Sequence, residues 1–137
     1  MKIIFVDDSK LVLMTLKVIV LEILNNNELR DKITCEFYNS SPELLEIAKN
    51  KEDFNFDLAF FDINMPQISG FDLTKEIRAI DKFKFKPIVA VTTEVSSHAK
   101  LKGKEAGFSA WLVKTASHKV IKDTLGKIIR KIYSANN

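Results

Sequence analysis

Five short runs along the chain are apolar and rich in branched or aromatic residues: Lys2 to Val6, Thr34 to Tyr38, Leu58 to Phe61, Ile88 to Val91 and Ala110 to Val113. In IIFV, LAFF and IVAV no polar residue alternates with the apolar ones, which predicts strands buried on both faces, as in a parallel sheet. Between the runs lie segments with helical spacing, roughly Ser9 to Leu24, Pro42 to Lys49, Gly70 to Ile80 and Ser97 to Ala106, and a last one from Ser117 to Tyr133 closes the chain. Alternation of strand and helix predicts an α/β sheet wound on both faces. Ser41, followed by Pro42, is placed to cap the second helix, and Ser117 the last.

Length and composition narrow the class without naming a function. The chain has 137 residues, 46% hydrophobic and 28% charged, with four Gly and three Pro. That is one globular domain with enough apolar residues for a core of its own. No repeat, low-complexity tract or linker divides it, so a single domain over 1–137 without an output domain is expected. A net charge of +3 is too small to argue for nucleic acid or an anionic membrane. The lone Cys35 cannot form an intrachain disulfide, and no Cys/His cluster has zinc-ligand spacing. The longest apolar stretch, Leu11 to Leu24, is interrupted by Thr15, Lys17 and Glu22 and falls short of the roughly 20 residues of a membrane span. No secretory signal pattern is present. A cytoplasmic location is expected.

The chemistry gathers at the strand ends. In an open parallel sheet, ligands bind beyond the carboxyl ends of the strands, where strand order reverses. The first strand runs into Asp7-Asp8-Ser9 and the third into Asp62-Ile63-Asn64-Met65-Pro66. Carboxylates crowded in a partly dry cleft repel one another unless a cation neutralises them, and Mg²⁺, with its preference for oxygen ligands, suits two or three carboxylates plus a backbone carbonyl. Thr92 closes the fourth strand and Lys114 the fifth, at the same edge. A hydroxyl and an ammonium facing acids and a metal are what phosphoryl transfer requires, because its catalysis is mainly positioning and charge stabilisation. For one Asp alone, a helix cap or a solvated turn is the simpler reading; two acidic clusters followed by Thr92 and Lys114 argue for a site.

The motifs VDDS, FFDINMPQISG, VTTE and WLVK, in that order over essentially the whole chain, resemble the receiver domains of two-component response regulators, in particular single-domain chemotaxis receivers. The resemblance implies a flavodoxin-like doubly wound (βα)5 parallel sheet with strand order 2-1-3-4-5. It implies that Asp62 is the phosphoacceptor, that Asp8, Asp62 and the backbone carbonyl of Asn64 ligate Mg²⁺ (or Mn²⁺) with Asp7 acting through a water, and that Thr92 and Lys114 bind the phosphoryl oxygens. It further implies a switch in which Trp111 follows the Thr92 hydroxyl inward; the alternative for Trp111 is a plain core residue. Asn64, Thr93 and Glu94 occupy positions that tune phosphate lifetime, and Thr93, where relatives often carry a smaller residue, is expected to slow its loss. The family's proline after the lysine is replaced by Thr115, so a trans Lys114–Thr115 bond and a reshaped loop are expected.

Two surfaces concern partners. On the first helix Val12, Leu16, Ile19, Val20 and Ile23 form a stripe for the sheet, while Leu11, Met14, Val18 and Leu21 form a second. The second suits a helical partner, such as a histidine kinase or histidine phosphotransfer protein, or a second copy, unless the fifth helix covers it. The fourth and fifth helices carry Lys100, Lys102, Lys104, Lys119, Lys122, Lys127, Arg130 and Lys131. These read as a solvated face or as a docking surface for an acidic downstream protein target. Direct nucleic-acid binding is not expected, nor is a membrane contact. Other readings are a phosphorylation-independent receiver-like module, the N-terminal part of a longer transcriptional or enzymatic regulator, an aspartate-nucleophile phosphatase, for which Asn64 stands where a second Asp is needed, and an FMN carrier, whose phosphate Asp7 and Asp8 would repel. A receiver turns over no external substrate, so no conventional enzyme activity is expected.

Overall fold

The computed structural model describes residues 1–25, 28–114 and 117–136. Five parallel strands, β1 (Lys2–Val6), β2 (Thr34–Tyr38), β3 (Leu58–Asp62), β4 (Ile88–Thr92) and β5 (Ala110–Val113), form one sheet in the order β2-β1-β3-β4-β5. The helices are α1 (Lys10–Asn25), α2 (Ser41–Asn50), α3 (Gly70–Arg78), α4 (Ser97–Ala106) and α5 (His118–Ala135), with a 3-10 turn at Asp81–Phe83. This is the flavodoxin-like doubly wound arrangement.

The sheet separates two cores. Ile4, Phe61, Ile88 and Ala90 face the side covered by α2, α3 and α4, while Ile3, Phe5, Phe60 and Val91 face the side covered by α1 and α5. Every residue of β3 and β4 is buried, as continuous apolar runs require. On the α1 side, register places Phe5 between Phe37 and Phe60, and its ring stacks on both at 4.9 Å. Each such pair contributes about 0.5–1.5 kcal/mol beyond area burial and helps to hold β1 between β2 and β3.

One expectation needs correction. The cap of α2 is Ser40, whose side chain accepts from Glu43 N; Ser41 is already helical, and its buried hydroxyl donates to Ile68 O at 2.8 Å. A tertiary contact, invisible in the local pattern, decides between the two serines. On α1 the buried residues are Leu13, Leu16, Ile19, Val20, Ile23 and Leu24, and the half-buried Val12 packs against the same core, so the stripe expected to face the sheet does so. The second stripe is uncovered: Leu11, Met14, Val18 and Leu21 are all exposed. Ser117 caps α5, accepting from Val120 N. The Lys114–Thr115 bond lies outside the described residues.

Candidate functional site

The parallel register carries five strand ends to one edge. Val6 pairs with Phe61, so Asp7 follows beside Asp62; Thr92 pairs with Val113, so Lys114 follows beside it and donates its N–H to Thr92 O at 2.8 Å. Asp7 N donates to Tyr38 O, which pins the end of β1 to β2. At this edge Lys114 Nζ sits 2.7 Å from Asp7 Oδ2 and 2.9 Å from Asp62 Oδ1. Asp7 and Asp62 are 2% and 5% exposed, so their charges meet Lys114 with little solvent screening.

The rest of each carboxylate is tied down locally. Asp7 Oδ1 accepts from Ser9 N at 2.9 Å at the entry to α1. Asp62 Oδ1 accepts from Ile63 N at 2.8 Å, while Oδ2 receives no backbone hydrogen bond among the described residues. Asp8 is exposed, yet it offers an oxygen within 4.8 Å of oxygens from Asp7 and Asp62. In an octahedron with metal–oxygen bonds of about 2.1 Å, ligand oxygens lie between about 3.0 and 4.2 Å apart, so these three acids fit a divalent metal with little adjustment.

Electrostatics point the same way. Burial raises the pKa of Asp62 above its usual value and the charge of Asp7 adds to this, against the pull of Lys114 and the Ile63 N–H. Burial alone would lower Lys114, but its contacts with Asp7 and Asp62 outweigh that and hold it above its usual value. Asp7 and Asp62 thus share one ammonium with Asp8 close by, and the excess negative charge is what a further cation would relieve.

Not every expected residue joins this cluster. The Thr92 hydroxyl is fully buried and accepts from Glu94 N at 3.2 Å. Thr93 and Glu94 are exposed at the start of the β4–α4 loop, and Asn64, expected to contribute its backbone carbonyl, is exposed two positions after Asp62. Trp111 is half-buried on β5, stands edge-on to Phe108 and donates from Nε1 to Glu94 O.

Two positions carry weight that sequence reasoning assigned to neither. A Cβ on Gly70 would lie 2.1 Å from Asp62 O, so only glycine lets α3 begin against the end of β3. The glycine closing FFDINMPQISG was the available signal. Arg78 has none: its guanidinium donates to Phe83 O, Gly107 O and Lys86 O, binding the far ends of α3, α4 and β4 together.

The model of the response regulator receiver domain matches residues 3–126. This chain belongs to that family. Among its relatives, a chemotaxis protein CheY of Pseudomonas aeruginosa is 32% identical over 78 residues, a match spanning 57% of this chain and 63% of that protein, so less than two thirds of its length. A CheY homolog of Campylobacter jejuni is 30% identical across 94% of this chain and 92% of the relative. The crystal structure of chemotaxis protein CheY4 of Vibrio cholerae superposes with a TM-score of 0.69 at 31% identity, covering 92% of this chain and 96% of that one. Receiver domains of two-component signalling are phosphoacceptors that meet histidine kinases and downstream targets. The acidic cluster of this receiver is compatible with Mg²⁺. Among the described residues no helix is long and apolar enough to cross a membrane.

Proposed function

We propose that this receiver takes a phosphoryl group from a phosphohistidine, on a histidine kinase or histidine phosphotransfer protein, onto Asp62. The observation that carries this reading is the Lys114 ammonium held between Asp7 and Asp62, with Asp8 alongside. A carboxylate oxygen of Asp62 attacks phosphorus; the phosphorus–nitrogen bond breaks and its electron pair leaves with the imidazole, which the ring then holds as a neutral group. Attack by water reverses the loading, breaking the phosphorus–oxygen bond to Asp62 and releasing inorganic phosphate. No external substrate is turned over.

Asp7, Asp8 and Asp62, with the backbone carbonyl of Asn64, would hold Mg²⁺ or Mn²⁺. Such an ion supplies positive charge against the phosphoryl oxygens and the crowded acids. Lys114 is already positioned to orient the acceptor carboxylate and to take one phosphoryl oxygen, and the Thr92 hydroxyl another. The same hydroxyl accepts from the Glu94 N–H, and donating its proton to a phosphoryl oxygen leaves that lone pair in use, so the site is tied to the β4–α4 loop and through Glu94 O to Trp111. The surface of α4, β5 and α5, with its lysines, then meets an acidic target protein, while the exposed α1 stripe receives the phosphodonor or a second copy. The chain acts in the cytoplasm as one domain over 1–137, with no direct nucleic-acid contact.

The test is labelling with a small acyl phosphate. Wild type is expected to gain one acid-stable, base-labile phosphate only with Mg²⁺ or Mn²⁺, and Asp62→Asn none. Equal labelling of the two proteins would remove Asp62 from the chemistry.

A further inference from the structure

The loop that leads from Asp62 into α3 contains a strained turn. Gln67 has a φ of 69°, and its neighbours close a three-residue turn around it, with Ile68 N donating to Pro66 O at 2.8 Å. A γ-turn of positive φ is the rare and strained form of that turn, and glutamine has no intrinsic preference for it. Among the described residues Gln67 is the only one besides glycine with positive φ. Its side chain is exposed, so packing of that side chain does not hold the turn.

The hold comes from α2. Ser41 is 2% exposed, and its hydroxyl donates to Ile68 O at 2.8 Å. Both backbone polar groups of Ile68 are thus engaged, the N–H by the turn and the carbonyl by Ser41. Ser41 itself is firmly placed, because Ser40 caps α2 and Leu44 and Leu45 root the helix in the core that also takes Ile63 and Met65. At the other end of the loop Ile63 O accepts from both Met65 N and Gly70 N. Asn64 lies between that pin and the turn. Without the Ser41 hydroxyl the Ile68 carbonyl would have to find water, and relaxation of Gln67 to negative φ would let it turn outward.

We infer that Ser41 is a positioning residue for the metal: by clamping the strained turn at Gln67, it fixes the loop conformation in which the Asn64 carbonyl serves as a ligand. The inference rests on the reading above that Asp7, Asp8, Asp62 and the Asn64 carbonyl hold Mg²⁺ or Mn²⁺, and it adds to that set a residue from α2, away from the strand ends.

The test is Mn²⁺ binding to the full chain, read from the electron paramagnetic resonance signal of the free ion, which needs no phosphorylation. Ser41→Ala is expected to weaken binding about tenfold, as loss of a hydrogen bond that orients a metal ligand does. Gln67→Gly takes up positive φ without strain, so it is expected to leave wild-type affinity unchanged and to restore it in the Ser41→Ala background. Gln67→Val puts a branched residue where positive φ is most costly, and it is expected to weaken binding with the hydroxyl intact. Being exposed, that position tests the turn whether or not Ser41→Ala folds. Full affinity in Ser41→Ala, no recovery in the double variant, or full affinity in Gln67→Val would each overturn the inference. Absence of Mn²⁺ binding by wild type overturns the metal reading and this inference together, whereas wild-type binding with an indifferent Ser41→Ala overturns this inference alone.

Discussion

Trp111 Nε1 donates a 2.9 Å hydrogen bond to the carbonyl of Glu94, whose own N–H is bound by the Thr92 hydroxyl. The indole is thereby linked through one residue to the end of β4. Room for so large a side chain comes from Gly103 on α4: a Cβ there would lie 2.5 Å from Trp111 Cζ3. Helix interiors disfavour glycine by about 1 kcal/mol relative to alanine, so its presence in α4 is a concession to packing.

Gly103→Ala is therefore expected to push the indole outward and break its bond to Glu94. Trp111 is the only tryptophan, so its fluorescence reads this directly. The emission maximum should shift to longer wavelength, while stability changes by less than about 1 kcal/mol because helix propensity offsets the lost packing. An unchanged spectrum would mean the indole is not held against α4.

Gly70→Ala should be far more damaging. The obstruction at 2.1 Å is the backbone carbonyl of Asp62, not the tip of a flexible side chain, so it cannot swing aside. Destabilisation by about 3 kcal/mol in a denaturant melt, with loss of acyl phosphate labelling in whatever folds, is expected. Full labelling in the Ala variant would show that the β3–α3 junction does not position the acceptor.

The two glycines differ in what the sequence showed: Gly70 closes a recognisable motif, and Gly103 does not. The strands were legible almost to the residue because β1, β3 and β4 are buried on both faces, and runs so short, rich in branched and aromatic residues, favour strand over helix. Asp7, Asp62 and Lys114 were legible because parallel strands must deliver their ends to one edge. Gly103 gave no local signal, since its reason for being glycine is an indole on another element. Arg78 reads from sequence as an ordinary basic residue in a last helical turn, yet it serves carbonyls reached only after the chain has folded back. The α1 stripe showed in the periodicity, but whether α5 covered it was a tertiary question.

Thr74 offers a stabilising change. It is fully buried in α3, and its hydroxyl has no hydrogen-bond partner among the described residues. Thr74→Val keeps the shape and removes an unpaired polar group, so a gain of about 1–2 kcal/mol and a rise in Tm are expected. A loss of stability in calorimetry would reveal a partner for the hydroxyl, such as a bound water.

Thr93 is exposed beside Thr92, and under the proposed phosphorylation of Asp62 its side chain is expected to obstruct the approach of water. Thr93→Ala should leave the fold unchanged and speed loss of phosphate severalfold, measured by decay of the labelled protein after the donor is removed. Equal decay rates would exclude steric control at this position.

Asp62 itself gives a pH-dependent prediction. Its pKa lies above the usual 3.8, chiefly through burial, so the folded chain holds this proton more tightly than the unfolded chain does. The associated stability is fully present only below that usual value and is lost as pH rises through the raised one. At pH 7, without metal, the ionised Asp62 carboxylate therefore costs stability, and Asp62→Asn is expected to melt at a higher temperature than wild type. The gap should narrow as the pH falls toward about 3.5, where wild-type Asp62 is protonated too. Lys114 keeps Asp7 as a partner in the variant, so its own contribution survives at pH 7; with its pKa raised, that contribution is lost only in alkali. If Asp62→Asn melts below wild type at pH 7, the Lys114 contact is worth more than burial costs, and the reading of an over-charged site waiting for a cation fails.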